Sequence, residues 1–234
     1  MEWFNNWINK LHETFIVGDR YMTLIEGFEK TLIITFGALI IGVIIGTIVA
    51  MIKVFAHNSP KSRILKVLDV IMNIYLTVIR GTPVVVQLLI SFFIIFISAK
   101  DGTWVAMLTF GINSGAYVAE TIRSGIMAID PGQMEAGRSL GFSNIQTMWL
   151  IILPQAFKNI LPAIGNEMIA LLKETSVAGY VAVVDLTKAG NQIKNTTYDQ
   201  INPILLVALV YLVMVMLFTW LIGLLERRLR KSER

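Results

Sequence analysis

The chain has 234 residues, of which 55% are hydrophobic and only 15% are charged, and its mean hydropathy is +0.67. Soluble domains carry about 25% charged residues, so this composition excludes an ordinary soluble protein and indicates residence in a membrane. The formal net charge of +4 would suggest a nucleic-acid partner in a soluble protein, but here the basic residues cluster beside apolar stretches, where they indicate orientation in a bilayer.

The first 27 residues lack the basic start and short apolar core of a cleavable signal peptide. Their large apolar residues recur instead at helical spacing. These residues are Trp3, Phe4, Trp7, Ile8 and Leu11. The pattern predicts a short helix that lies in the membrane interface, and residues 1–27 are interpreted as an interfacial N-terminal segment.

Five apolar segments follow, and we expect each to cross the membrane, since about 20 helical residues span roughly 30 Å of hydrocarbon. The segments cover residues 31–55, 68–98, 104–126, 155–180 and 202–225. The second is interrupted at Arg80-Gly81-Thr82-Pro83, because proline removes a backbone donor and disfavours helix at the residue before it. A broken helix at membrane depth requires protein or a water-filled cavity to satisfy the freed backbone groups.

Lysine and arginine near the segment ends predict the orientation of the chain. Basic residues follow the first segment at Lys61, Arg63 and Lys66, and the fifth at Arg227, Arg228, Arg230, Lys231 and Arg234. The other loops are poorer in them, so the positive-inside rule places the N terminus outside and the C terminus in the cytoplasm. The loop from His57 to Lys66, with Asn58 and Pro60, is therefore a predicted cytoplasmic turn, and residues 227–234 a basic cytoplasmic tail.

The same orientation places residues 128–153 on the cytoplasmic side. There Asp130 followed by Pro131 predicts the start of a helix, and Gly141 predicts its end. A short cytoplasmic helix of about residues 131–141 is expected. The predicted fold is thus an all-α integral membrane protein with five transmembrane helices in one domain, residues 28–226, plus this short helix and the N-terminal interfacial helix.

The short predicted helix opens a longer motif. Glu135-Ala136-Gly137, Gly141, Ile151 and Leu153-Pro154 match the loop that marks permease subunits of ATP-binding-cassette (ABC) importers. The pattern of that family is Glu-Ala-Ala, three residues, Gly, nine residues, then Ile, any residue and Leu-Pro. Only Gly137 departs from it, since alanine is usual at that place.

Further segments resemble the branch of this family that carries polar amino acids. One runs from Val78 to Pro83 and continues into Val86-Gln87-Leu88, and another runs from Asn113 to Glu120 and on to Arg123 and Gly125. The fourth segment is similar at residues 165–167 and 172–176, so the resemblance covers about residues 76–176.

The resemblance implies a MetI-like permease of the bacterial cytoplasmic membrane, in contact with lipid and paired with a second, identical or related permease. It implies that the short helix is a coupling helix that binds a dimer of separate ABC ATPase subunits. The implied coupling residues are Glu135, Ala136, Gly137, Arg138 and Gly141. A binding protein outside the membrane would deliver the amino acid, and no nucleic acid is expected as a partner.

No Gly-x-x-x-x-Gly-Lys-Ser/Thr phosphate loop is present, so ATP hydrolysis requires the partner subunit. This chain is therefore not expected to be an enzyme or to hold a cofactor, and the ATPase would bind ATP and Mg. The chain has no cysteine, and its histidines, His12 and His57, lie outside the predicted spans without companion ligands, so no metal site is expected either.

Polar side chains inside the apolar segments indicate a substrate site, because a charge at the centre of a membrane helix costs about 2.5–3.5 kcal/mol. Asn113, Tyr117 and Glu120 share one face of the third segment, and Glu167 and Glu174 are two turns apart on the fourth. The candidate substrate-binding residues are Gly81, Thr82, Asn113, Tyr117, Glu167 and Glu174. The two carboxylates weakly favour a cationic amino acid such as arginine as the substrate.

Three alternatives stay open from the residues alone. Glu120, Glu167 and Glu174 would form structural ion pairs with Arg80, Arg123 or Lys173, and for Glu120 a pair with Arg123 is favoured. A proton-driven secondary transporter would use the same carboxylates, but five spans without an internal repeat is an unusual plan for one. An intramembrane enzyme would need a metal triad or a nucleophile with its base, and neither is visible.

Overall fold

The computed structural model describes residues 2–58 and 62–231. Within these residues the regular elements are all helical, so the all-α prediction is confirmed. Pro60 and Lys61 of the predicted cytoplasmic turn, and residues 232–234 of the predicted basic tail, lie outside the described residues.

The described helices follow the predicted segments closely. They are α1 (Glu2–Phe15), α2 (Arg20–Asn58), α3 (Arg63–Gly81), α4 (Val84–Ile90), α5 (Gly102–Met127), α6 (Pro131–Ser139), α7 (Asn144–Thr147), α8 (Leu153–Glu174), α9 (Leu186–Thr197) and α10 (Asn202–Lys231). Wider π-helical turns extend α4 over Ser91–Ile95 and join α7 to α8 over Met148–Ile152, and a 3-10 turn extends α8 over Thr175–Tyr180. A 3-10 turn at Val17–Asp19 separates α1 from α2, so the first transmembrane helix begins earlier than predicted.

Three continuous helical stretches among the described residues are long and apolar enough to cross a membrane, namely Val17–His57, Asn144–Tyr180 and Asn202–Leu229. The helices α3 and α4 together form a fourth apolar stretch, bent by 104° at the predicted break. The fifth predicted span, α5, is long but less apolar, and 16 of its 26 residues are buried inside the protein. The total of five spans stays a prediction.

Glycines allow α2 and α5 to pack closely against each other. A Cβ atom at Gly46 would lie 2.6 Å from Cγ1 of Val118 and 2.9 Å from the backbone nitrogen of Ala119. From the other side, a Cβ atom at Gly111 would lie 2.6 Å from Cβ of Ile41. Small residues at this contact let the two backbones approach closely, as in many membrane helix pairs.

The long helix α2 connects the two ends of the molecule. Near its start, Thr31 Oγ1 accepts a hydrogen bond of 3.1 Å from the backbone N–H of Leu186 at the start of α9. At its other end, Val54 and His57 line a cavity together with Met134 of α6. The helices α9 and α6 therefore lie at opposite ends of α2, as the predicted sidedness requires.

The helix α9 was not predicted, because residues 185–200 were interpreted only as a polar stretch. Asp185 caps its start, with carboxylate oxygens 3.0 Å from the backbone nitrogen of Thr187 and 3.3 Å from that of Lys188. Burial raises the pKa of the Asp185 carboxyl, although these hydrogen bonds oppose the rise. The available sequence signal was this cap followed by buried Leu186 and Ala189, three residues apart.

The N-terminal helix α1 contacts the loop between α9 and α10. Thr14 Oγ1 donates a hydrogen bond of 3.0 Å to Asp199 Oδ2, and Lys10 Nζ lies 3.8 Å from Asp199 Oδ1. Burial favours a raised pKa for the Asp199 carboxyl, but hydrogen bonds from Asn202, Ile201 and Thr14 outweigh it and hold the pKa below its ordinary value of 3.8. This carboxylate thus ties α1 to the rest of the fold.

The glycine contact predicts a steric cost for an added methyl group. Gly46→Ala places a Cβ atom against Val118 and Ala119 and is expected to destabilise the protein by about 1–3 kcal/mol. Gly223→Ala on α10 is the matched control, because no atom lies within 4 Å of its Cβ position. Thermal unfolding of both variants in detergent measures the difference. Equal melting temperatures for the two variants would contradict the close approach of α2 and α5.

The Asp199 contacts predict a release of α1. Asp199→Ala is expected to speed hydrogen–deuterium exchange over residues 2–15 by about tenfold at pH 7, since a charge-assisted hydrogen bond contributes about 1.5–3 kcal/mol. Because the folded pKa lies below 3.8, the carboxylate stabilises the fold above that value and its contribution is lost as the pH falls through and below it. The difference between wild type and variant should therefore shrink at acid pH.

Glu29→Ala, at an exposed carboxylate of α2, is the control for that exchange measurement. Exchange that rises equally in both variants, or a difference that grows toward acid pH, would count against the role given to Asp199.

Candidate functional site

The break in the second predicted span is held by one side chain, that of Gln87. Its Nε2 atom donates hydrogen bonds to the backbone oxygens of Ile79, at 2.7 Å, and Thr82, at 3.1 Å. The same atom lies 2.8 Å from Thr82 Oγ1, and that hydroxyl donates to the oxygen of Val78 at 2.9 Å. Side chains therefore satisfy carbonyl groups that the interrupted helix leaves free, which a break at membrane depth requires.

Gln87 also joins the break to α5. Its Oε1 atom accepts a hydrogen bond of 3.0 Å from Nδ2 of Asn113. Backbone carbonyls can only accept, so the Gln87 amide must direct its nitrogen toward Ile79 and its oxygen toward Asn113. Asn113 must in turn direct its nitrogen toward Gln87. Gln87 therefore engages one of the two N–H groups of the Asn113 amide and leaves its other N–H and its oxygen.

A cavity of about 610 Å³ lies beside this break, between α2, α3 and α5. It is lined by Lys53, Asn73, Leu76, Thr77, Arg80, Gly81, Tyr117, Glu120 and Arg123. Two of the candidate substrate-binding residues, Gly81 and Tyr117, are among them. A second cavity of about 560 Å³ shares Lys53 and Arg123 with the first and extends to His57 at the end of α2.

Most charges on the cavity wall are paired. Lys53 Nζ lies 3.2 Å from Asp69 Oδ1 and 2.6 Å from Asn73 Oδ1. Arg123 forms an ion pair with Glu120 one turn away, so the predicted pairing of Glu120 is confirmed. The contacts of Lys53 join α2 to α3. The two ion pairs neutralise two of the cations that face the cavity.

The two carboxylates of α8 are arranged differently. Glu167 accepts a hydrogen bond of 2.8 Å from Ser114 Oγ, the residue next to Asn113. Glu174 lies two turns further along the helix, and both are partly buried. Within the part of the chain that the structure describes, neither carboxylate forms an ion pair with a lysine or arginine. The alternative in which both serve as structural ion pairs is therefore not found there.

The candidate residues thus fall into two groups. Gln87 and the cavity wall bring four of them together, namely Gly81, Thr82, Asn113 and Tyr117. Glu167 adjoins this group through Ser114, and Glu174 is more distant; neither carboxylate lines the cavity. That these residues bind substrate stays a prediction.

The predicted cytoplasmic helix is present as α6, although it ends at Ser139, two residues before the predicted boundary. Asp130 Oδ1 accepts a hydrogen bond of 2.7 Å from the backbone N–H of Gly132 and caps the start. Gly141 ends the turn with φ of +89°, a left-handed conformation that favours glycine. The N–H of Phe142 then bonds to the oxygen of Gly137 at 3.1 Å.

The departure of Gly137 from the family pattern has a local cause. A Cβ atom at this buried position would lie 2.5 Å from Cγ2 and 2.8 Å from Oγ1 of Thr147 in α7. The threonine side chain thus occupies the space that an alanine methyl group would need. On the outer side of α6, Glu135, Ala136 and Arg138 are exposed.

An apolar cluster ties α6 to the longer helices. Met134 packs against buried Val54 of α2, Ile126 of α5, and Met148 and Ile152 between α7 and α8. The π-helical turn at Met148–Ile152 stands just before Pro154, whose missing N–H cannot continue regular helical bonding there. A displacement of α6 would therefore act on several helices at once.

The sequence alone did not identify three functional features. The polar network of Lys53, Asp69 and Asn73, the bridging role of Gln87 and the hydrogen bond from Ser114 to Glu167 all join residues from different helices. A lysine near the end of the apolar first span was the one visible signal for the network.

Comparison with known proteins gives consistent results. A family model described as "Binding-protein-dependent transport system inner membrane component" matches residues 42–231. The chain is 36% identical over 213 residues to the arginine transport system permease protein ArtQ of Bacillus subtilis, covering 90% of this chain and 94% of that protein. Identity and coverage are the same for a putative glutamine transport system permease protein, GlnP, of Rickettsia typhi. The L-cystine transport system permease protein TcyL of Bacillus subtilis is 30% identical over 235 residues, 97% of this chain and 95% of that protein.

Solved structures agree with this similarity. The chain superposes on the crystal structure of an amino acid ABC transporter with histidines, with a TM-score of 0.81 at 40% identity, over 92% of this chain and 98% of that chain. The inward-facing MetNI methionine ABC transporter gives a TM-score of 0.72 at 22% identity, over 92% of this chain and 98% of that chain, which supports the fold alone.

The contact between Gly137 and Thr147 predicts that the two positions are coupled. Gly137→Ala alone is expected to destabilise the protein by about 1–3 kcal/mol through overpacking. In Gly137→Ala with Thr147→Ala, the new methyl group occupies vacated space, so the pair should cost less than the sum of the single changes by about 0.5–3 kcal/mol. Thermal unfolding of the four proteins of this cycle measures the coupling. Additive effects would show that Thr147 does not set the requirement for glycine.

Proposed function

Because this chain belongs to the family of binding-protein-dependent transport system inner membrane components, we propose that it is the membrane-spanning permease subunit of an ATP-driven importer of a polar amino acid. The observation that carries the proposal is similarity along nearly the whole chain to three permeases whose names specify arginine, glutamine and cystine. The similarity to an amino acid ABC transporter of known structure supports the same substrate class.

In this proposal α6 is the coupling helix. Its exposed face, with Glu135, Ala136 and Arg138, contacts a separate ATPase subunit in the cytoplasm. Small Ala136 allows close approach, and the two charged side chains supply polar contacts at the rim. The ATPase dimer binds ATP and Mg, and this chain holds no cofactor. The apolar cluster beneath α6 passes its movement to α2, α5 and α8.

Substrate crosses near the break in the second span. Gly81, Thr82, Asn113 and Tyr117 contact it there, with Glu167 and Glu174 of α8 at the other side of α5. The acceptor oxygen of Asn113 and the two carboxylates favour ammonium or guanidinium groups. This supports arginine or a similar cationic amino acid, in line with the arginine permease among the relatives.

The remaining parts of the complex follow from the predicted orientation. The helices α1 and α9 face the outside, where an amino-acid-binding protein delivers the substrate, and the end of α10 lies in the cytoplasm. A second permease, identical or related, completes the pathway. The exposed apolar side chains of α3, among them Ile64, Val67 and Ile74, support an arrangement in which this helix lies near that second subunit.

Uptake into proteoliposomes tests the proposal. The vesicles contain this chain, its candidate ATPase and its binding protein, with ATP inside and no ion gradient, and labelled arginine, histidine, glutamine, glutamate and cystine are offered in turn. We expect ATP-dependent accumulation of one of them. Gly141→Ala should lower that uptake by about 5- to 30-fold, because 1–2 kcal/mol of strain at φ of +89° disfavours the end of α6.

Gly223→Ala is the matched control for uptake as well. Neither position has an atom within 4 Å of an added Cβ, so the two variants differ in backbone conformation and not in crowding. Uptake that ignores ATP and follows an imposed proton gradient would refute the importer and favour a secondary transporter.

A further inference from the structure

Arg80 differs from the other cations around the large cavity. Three basic side chains line that cavity, and two of them have carboxylate partners, Lys53 with Asp69 and Arg123 with Glu120. Arg80 has no carboxylate within ion-pair distance in the described residues. An arginine inside a membrane protein is costly unless something compensates its charge, so an unpaired one indicates an anionic ligand.

The position of the Arg80 side chain is fixed by an aromatic contact. Its guanidinium carbon lies 5.4 Å from the centre of the Tyr117 ring, a cation–π arrangement. A guanidinium stacked on a ring still presents N–H donors along its edges. Its planar fork matches the two oxygens of a carboxylate, which makes arginine the preferred residue for binding that group.

The aromatic ring and the break in the second span meet at one cavity wall, because Gly81 and Tyr117 both line it. Tyr117 is one helical turn from Asn113 on α5, and both lie on one face of the helix. Asn113 itself is buried, with 3% of its surface exposed, and it does not line the cavity. A donor fork at Arg80, on the wall of the cavity, matches the carboxylate that every free amino acid carries on its α-carbon.

We propose that Arg80 binds the α-carboxylate of the transported amino acid. This inference rests on the proposed function, since it specifies how the same site holds its substrate. It assigns Arg80 to the part that all amino acids share, and it gives no role to Glu167 and Glu174, which do not line the cavity. Arg80 is thus a specificity residue for free amino acids as a class.

Equilibrium binding tests this assignment. The permease with its ATPase is placed in lipid nanodiscs without binding protein, and the probes are L-arginine, L-histidine and L-glutamine, each compared with its α-carboxamide. Arg80→Gln should weaken binding of the transported amino acid by about 10- to 100-fold, the range for loss of a hydrogen bond to a charged group. Binding of the carboxamide should change by less than about 3-fold, because it lacks the carboxylate charge.

Two further variants keep the test decisive. Arg80→Lys keeps the charge but loses the fork, so it should retain part of the preference for the carboxylate. Arg63→Gln, at an exposed arginine at the start of the same helix, should leave both affinities unchanged. If Arg80→Gln does not yield a folded complex, the ratio of the two affinities in Arg80→Lys decides.

An equal loss of affinity for acid and carboxamide would overturn the assignment. So would an unchanged ratio accompanied by dissociation of the permease pair, since Arg80 would then contact the second subunit. The proposed function fails separately: wild-type complex that binds the amino acid through Arg80 but accumulates none with ATP would refute the importer and leave the role of Arg80 standing.

Discussion

The close contact between α2 and α5 is the constraint on which the rest of the structure depends. Glycines on both helices leave no room for a methyl group, so the two backbones touch and behave as one body. The helix α5 carries Asn113 and Tyr117 of the candidate site, while α2 reaches from α9 at one end to α6 at the other. The same contact therefore positions the site and joins it to the helix proposed to meet the ATPase.

A second constraint acts where the chain leaves regular helix inside the membrane. Water is scarce there, so every freed backbone carbonyl needs a donor from the protein. Gln87 supplies that donor and at the same time orients the amide of Asn113. One amide thus satisfies the break and links it to a candidate site residue of α5.

Local sequence signals predicted the apolar segments, the break before Pro83 and the start of α6 at Asp130, because each depends on residues adjacent in the chain. Partners such as Lys53 with Asp69, or Ser114 with Glu167, are 16 and 53 residues apart, and no local pattern encodes them. The helix α9 was not predicted because its few apolar residues lie within a polar segment. Gly137 departs from the family pattern, and the position of Thr147 explains that departure.

The contact between α1 and the last loop has a consequence for how the protein is made. Thr14 and Asp199 are separated by 185 residues, so α1 can find this partner only after the intervening segment and Asp199 have left the ribosome. Until then α1 can lie on the bilayer surface, for which its amphipathic sequence is suited. Its capture by Asp199 accordingly follows the synthesis of α2 to α9.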